Sequence, residues 1–430
     1  MKAEKFHPPQ WIKTTNIYEV NTRQYTPEGT FNAFSTHLSR LKDMGVETLW
    51  FMPITPIAQK NKKGVLGSPY ACSDYFSVNP ELGTLNDFIG LVKQAHDMGF
   101  KVILDWVANH TGWDHKWTID HPEYYLFDTS TSDFKMASGM EDIIELDFKN
   151  TGLRQAMTEA MQFWTTNTDI DGFRCDLAFW VELDFWKQAR ASLEKDKALF
   201  WLGEFDPVDN PEYFEVFDAA YTWTWMHKTE DYYKKNNGIE ILATVLENYD
   251  KVSEPDHFPI WFTSNHDENS WNGTEFEKYG NMAKSLAVFS LTWKGLPMIY
   301  SGQELPNTKR LDFFAKDAIP WNGKYELHEF YKKLLTLRKA RNSLLAEDKM
   351  CNYFPLNQLA PIKCLGYLRV CGNDKVVVLL NWSSERISFR LVDEPAYGKY
   401  VNIFSRNEIE ISSATLFELE PWDFLVFEVT

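Results

Sequence analysis

Short apolar, β-rich runs alternate along this chain with longer stretches whose apolar residues recur at helical spacing. The first run is Ile17-Tyr18-Glu19-Val20. After it, Phe31, Phe34, Leu38, Leu41 and Met44 share one face of a predicted helix over 31–44. Gly45 stands where a helix C-cap belongs. Thr48-Leu49-Trp50-Phe51-Met52, halted by Pro53, predicts a second strand. A helix over 87–98, closed by Gly99, leads to a third strand over 101–107. The rhythm breaks at about 111–150 and then resumes. Helix 153–166, with Thr151 as its N-cap, precedes strand 171–177. Helix 183–194 precedes strand 199–205, and a sixth strand is predicted over 219–225. Helix 239–249, strand 259–264, helix 275–292, strand 297–300 and helix 327–340 complete the series.

Eight β/α repeats predict an α/β fold of the (β/α)8 TIM-barrel type, carrying an insertion after strand three. A doubly wound open sheet would need a glycine-rich turn after an early strand, and neither GxGxxG nor a Walker sequence is present. From about 345 the helical period disappears. Runs at 367–370, 376–380, 387–391 and 424–429 predict an all-β unit. The expected organisation is a barrel formed by 1–110 and 151–345, a short insertion at 111–150, and a C-terminal β-sandwich over 346–430.

Composition narrows the function. With 44% hydrophobic and 24% charged residues, disorder as the main state is excluded. Asp and Glu total 61 against 44 Lys and Arg, a net charge of −17, which disfavours nucleic acid and anionic membranes as partners. The charge reads as solubility. Five cysteines, an odd count without a CxxC pair, point away from a disulfide framework or a thiolate zinc site. The first nine residues contain no apolar core of a signal peptide, which predicts a cytoplasmic location. A leader removed from the chain stays an open alternative. The most apolar stretch, 285–301, carries Lys294 at its middle and reads as a buried helix running into a strand. Aromatic residues reach 16%, which fits aromatic cores but leaves room for sugar platforms.

A TIM barrel places its chemistry at the C-terminal ends of its strands. Asp105, Asn109 and His110 follow strand three; Arg174 and Asp176 end strand four; Glu204 ends strand five; His266 and Asp267 follow strand seven. One acid at such a position is often a helix N-cap, but four on one rim call for another explanation. Arg174 and Asp176 share a strand face, so the guanidinium would keep Asp176 ionised, while like charge and burial would keep Glu204 protonated. An attacking carboxylate and a proton-donating acid form the retaining glycosidase pair. Alternation turns Cys175 away from that pair.

Four segments carry a family resemblance: Asp105-Trp106-Val107-Ala108-Asn109-His110, Gly172-Phe173-Arg174-Cys175-Asp176, Gly203-Glu204-Phe205-Asp206 and Asn265-His266-Asp267. In this order, on strands three, four, five and seven, they resemble the α-amylase family of retaining glycoside hydrolases. The segments 68–75 and 146–150 resemble two further family regions. The resemblance implies Asp176 as nucleophile, Glu204 as acid/base and Asp267 as transition-state stabiliser. It implies Arg174 orienting Asp176, His110 and His266 bonding the sugar in subsite −1, Tyr70 stacking under it, and Asp105 supporting the site. The implied substrate is an α-1,4-glucan or malto-oligosaccharide. Transfer to a sugar, or action on sucrose or trehalose, stays open beside hydrolysis, as does a catalytically silent accessory role. Family members often carry Lys and His where this chain has Phe179 and Trp180, and that His lends its carbonyl to calcium. Asn109 matches a family calcium ligand. No cofactor is required on this reading, and calcium stays open. Trp180 is expected either to pack on the next helix or to serve as a sugar platform. Trp113, Trp117, Tyr124 and Tyr125 are expected to wall the cleft. Oligomeric state is not addressed by the sequence.

Overall fold

The computed structural model describes residues 5–195, 197–235, 238–253, 255–345, 351–358 and 364–430. Eight parallel strands close into a barrel: β1 (Ile17–Val20), β2 (Thr48–Phe51), β3 (Lys101–Trp106), β4 (Gly172–Cys175), β5 (Phe200–Gly203), β6 (Ala219–Tyr221), β7 (Phe258–Trp261) and β8 (Leu296–Tyr300). Closure is made by β1 against β8, with Ile17 opposite Met298. Apart from Lys101, every barrel-strand residue is buried, as expected of parallel strands covered on both faces. Asp105 lies opposite Arg174, and Cys175 opposite Gly203, so the acids of β3, β4 and β5 come to one height at the C-terminal rim.

Several helices depart from the expected bounds for local reasons. The stretch 31–44 is two helices, Phe31–Ser35 and Leu38–Met44. Thr36 Oγ1 donates to the Ala33 carbonyl at the break, a local bond that competes with helix continuation. Gly45 closes the second helix with φ 98°, a left-handed conformation that suits glycine. Helix Thr151–Thr168 is capped not by Thr151 but by Asn150, whose side chain accepts from Gly152 N and Leu153 N. The expected sixth strand ends at Tyr221, and Trp223–Lys235 is a helix. The stretch 275–292 divides into helices Glu275–Tyr279 and Ala283–Thr292 around a 3-10 turn. Helix Ala283–Thr292 runs into β8, and no helix among the described residues is long and apolar enough to cross a membrane.

The insertion after β3 holds two small antiparallel pairs, His110–Gly112 with Ile143–Glu145 and Phe127–Asp128 with Asp133–Phe134. Beyond helix His328–Ala340 come β9 (Cys351–Pro355), β10 (Cys364–Cys371), β11 (Asp374–Asn381), β12 (Ile387–Phe389), β13 (Gly398–Asn402), β14 (Glu408–Ile411), β15 (Phe417–Leu419) and β16 (Phe424–Val429). They form a six-stranded antiparallel sheet in the order β9-β10-β11-β16-β13-β14 and a two-stranded sheet β12-β15. The expected domain boundary at 346 lies outside the described residues. The C-terminal unit is bonded to the barrel: Trp382 Nε1 donates to Ser285 Oγ at 2.8 Å, and Arg369 Nη1 to the Thr292 carbonyl at 3.0 Å. Cys371 is disulfide-bonded, which neither the count nor the spacing predicts, while Cys72, Cys175 and Cys364 are buried free thiols.

Candidate active site

Arg174 organises the rim of the barrel. It is fully buried on β4 and reaches three carboxylates. Its Nη1 lies 2.9 Å from Asp105 Oδ1 and 2.8 Å from Asp176 Oδ1, and its Nη2 lies 2.6 Å from Glu204 Oε2. The guanidinium also sits 5.0 Å over the Trp50 ring and 5.6 Å from that of Tyr221, where aromatic faces favour a cation. Three acids around one cation leave a net negative charge in a water-poor site. That arrangement is costly unless protons are retained.

The acids respond as this predicts. Burial pushes Glu204 up to about 7; Arg174 pulls it down, and Asp176 and Asp267 push it further up. Burial also raises Asp176 and Asp105 above the usual carboxylate range, opposed in each case by Arg174. Arg174 therefore acts on all three acids, a wider role than orienting Asp176 alone. Glu204 accepts a hydrogen bond from the backbone N–H of Leu177 at 3.0 Å. Leu177, next to Asp176, is held at φ 41°, a left-handed conformation that is strained for leucine.

Asp105 gathers three donors. It accepts from Arg174, from Tyr70 Oη at 3.0 Å and from Trp50 Nε1 at 3.2 Å. Tyr70 Oη lies 2.8 Å from His266 Nε2, and the two rings stack at 5.2 Å between centroids. His266 Nε2 is 3.4 Å from Asp267 Oδ2. His110 lines the same cavity; burial lowers it to about 4, so it is a neutral imidazole. The structure therefore brings Asp176, Glu204, Asp267, Tyr70, Asp105, His110, Arg174 and His266 into one constellation.

One member escaped the sequence reading. Glu19 lies on β1 with no exposed surface, its Oε1 2.5 Å from His266 Nδ1. Burial opposes a charge on His266, but Asp267 and Glu19 outweigh it and raise the imidazole to about 9. With both ring nitrogens protonated, Nδ1 donates to Glu19 and Nε2 to Tyr70 Oη, which in turn donates to Asp105. A glutamate inside a short, otherwise apolar barrel strand was the available signal.

The cavity above the acids has a volume of about 520 Å³. Its aromatic wall is Tyr70, Trp271, Phe313 and Phe314, joined by Lys63 and Asp142. Trp113, Trp117, Tyr124 and Tyr125 do not line it. They are buried in the insertion, where Trp117 packs edge-on against Tyr124 and Tyr125 Oη bonds Thr111. They join the same hydrophobic core as the barrel, with Trp117 also packed on Tyr75 of the loop after β2. Trp180 does not bury itself against the following helix: it is 39% exposed, edge-on to the 37% exposed Phe179. Asn109 turns its Nδ2 to within 3.4 Å of His110 Nδ1, and its carbonyl accepts from Leu146 N.

Known proteins resemble this chain along most of its length. The family model for the alpha-amylase catalytic domain matches residues 9–134 and 121–322. Alpha-amylase MalA of Haloarcula japonica is 27% identical over 396 residues, covering 88% of this chain and 57% of that protein. The chain thus spans little more than half the length of that relative. A cyclomaltodextrinase of Geobacillus thermopakistaniensis is 24% identical, covering 100% of this chain and 79% of its own length. The crystal structure of a maltogenic alpha-amylase, AmyB of Thermotoga neapolitana, superposes with a TM-score of 0.88 at 28% identity, covering 97% of this chain and 99% of that one. The chain belongs to the α-amylase family.

Proposed function

We propose that this member of the α-amylase family hydrolyses α-1,4-glucosidic bonds in malto-oligosaccharides and related α-glucans, with retention at the anomeric carbon. The observation that carries the reading is the guanidinium shared by Asp176 and Glu204, at 2.8 and 2.6 Å. Carboxyls bridged by one guanidinium fit the separation of about 5–5.5 Å used by retaining enzymes, not the roughly 6.5–9.5 Å of inverting ones. Asp176 attacks the anomeric carbon as its bond to the bridging oxygen breaks. Glu204 gives its proton to that oxygen, and the shortened sugar leaves. The β-glucosyl ester on Asp176 is then cleaved by water, whose proton passes to Glu204. Asp267 and the His266 cation would grip the hydroxyls of the distorting ring.

A second reading, transfer to a sugar hydroxyl, is supported by the exposed aromatic rings of Phe179 and Trp180 just after the nucleophile, either of which offers a face to a sugar acceptor. Products from maltotriose separate the two: glucose and maltose mean hydrolysis, and longer oligomers mean transfer. We further place the protein in the cytoplasm; detection of the native protein in culture medium would refute that placement.

A further inference from the structure

The loops around the cavity are unequally tied to one another. Glu204, as proton donor, must stand on the leaving-group side of the scissile bond. That side lies over β4 and β5, where Phe179 and Trp180 face solvent. The opposite side, over β3, β2, β8 and β7, is bridged from loop to loop. Lys63, on the loop after β2, pairs with Asp142 of the insertion after β3 at 2.8 Å, and both line the cavity. Asp142 keeps only 8% of its side chain exposed, so this is not a loose surface pair. One residue on, Gly64 adopts φ 62° and lies so close to Phe314 that a Cβ there would overlap the phenylalanine Cβ. Leu66 N donates to the Phe314 carbonyl at 3.0 Å. Phe313 stacks on Tyr70 at 6.2 Å and contacts Trp271 at 5.4 Å. The loop after β8 is itself tied down: Gln24 Nε2 donates to the Asp312 carbonyl at 2.7 Å, and Leu311 N to Asn269 Oδ1 at 2.9 Å.

These contacts link the loops after β2, β3, β7 and β8 into one bonded wall beside Tyr70. A long glucan lying through an internal cleavage site must leave the cavity at both ends, and here one end meets that wall. The cavity volume of about 520 Å³ is of the size that takes a short ligand.

We propose that the wall formed by Lys63, Asp142, Phe313 and Phe314 closes the glycone end of the cleft, so that the enzyme cuts near the non-reducing ends of chains rather than in their interior. The proposal rests on the hydrolytic reading above. It assigns specificity, not catalysis, to these four residues.

The test compares maltoheptaose with maltoheptaose whose non-reducing end carries a 4,6-O-benzylidene block, using the full chain. The unblocked sugar is expected to be cleaved about tenfold faster or more, with short sugars released first. In Lys63→Met, which keeps an apolar stem but loses the ion pair, and in Lys63→Met/Phe314→Ala, the ratio of the two rates should fall several-fold while far-UV circular dichroism is unchanged. Equal rates on the two substrates for the unaltered protein would overturn the proposal. So would a ratio that both variants leave unmoved, because the wall would not then be what excludes the block. Failure to cleave even unblocked maltoheptaose would overturn the hydrolytic reading itself, and this proposal with it.

Discussion

Glu204→Gln should stabilise the protein while disabling it. The glutamate is buried beside Asp176, and both share Arg174 with Asp105. Glutamine keeps the shape and the acceptor for the Leu177 N–H but removes one of three crowded negative charges. Glu204 rises from 4.5 to about 7 in the fold, and such a rise corresponds to about 3 kcal/mol of destabilisation when the group is fully ionised. The sign follows from proton uptake. A carboxyl raised in the folded state binds more protons there than in the unfolded chain, so stability falls as pH rises from about 4.5 to about 7 and is level above. The substituted amide cannot titrate, so the variant should match the unaltered protein near pH 4.5 and exceed it above pH 7. Imperfect bonding of the new amide reduces the gain to about 1–3 kcal/mol, or a few degrees or less in apparent Tm for a chain of this length. Thermal scans at matched rates at pH 4.5 and 8 would read it. Turnover on maltotriose should fall by about 10²–10⁴. A variant destabilised at pH 8, or shifted equally at both pH values, would refute the electrostatic reasoning.

Other outcomes follow from the same contacts. Glu19→Gln should lower His266 by about 1–3 pH units, so that kcat/KM falls and the loss grows with pH; Glu19→Asp should restore part of it. Burial raises Glu19 as well, so the pair adds less to stability than the His266 shift alone suggests, and a large loss of fold in Glu19→Gln would contradict the positioning role. Cys175→Ala should leave activity largely intact, because the thiol is buried with no exposed surface beside, not within, the cluster. Treatment with EDTA should change neither activity nor apparent Tm; a clear loss reversed by calcium would refute this expectation.

Most of the barrel is legible in the sequence because parallel strands buried on both faces must be written as apolar runs. The acids that end β3, β4 and β5 then locate the rim. What escaped was decided by contacts between distant segments. Tyr221-Thr222-Trp223-Thr224-Trp225 has the aromatic and β-branched composition of a strand, yet the helix beginning at Trp223 buries Trp225 against Trp261 and Phe289. Glu19 looks like one polar residue in a short strand until the fold sets His266 against it. The rings of the insertion, expected to wall the cleft, instead join the main core. Phe313 and Phe314 lie in a loop without periodicity, and only closure of β8 against β1 carries them to Tyr70.

The central claim is a covalent glycosyl ester on Asp176, and trapping that ester tests it most directly. Glu204→Gln protein would be mixed with α-maltosyl fluoride, whose leaving group needs no acid but whose ester would then lack a base for hydrolysis. Peptide mapping by mass spectrometry should find one added maltosyl group on the peptide carrying Asp176. An adduct on another residue, or β-maltose appearing as first product from the unaltered enzyme acting on α-linked substrate, would contradict the account.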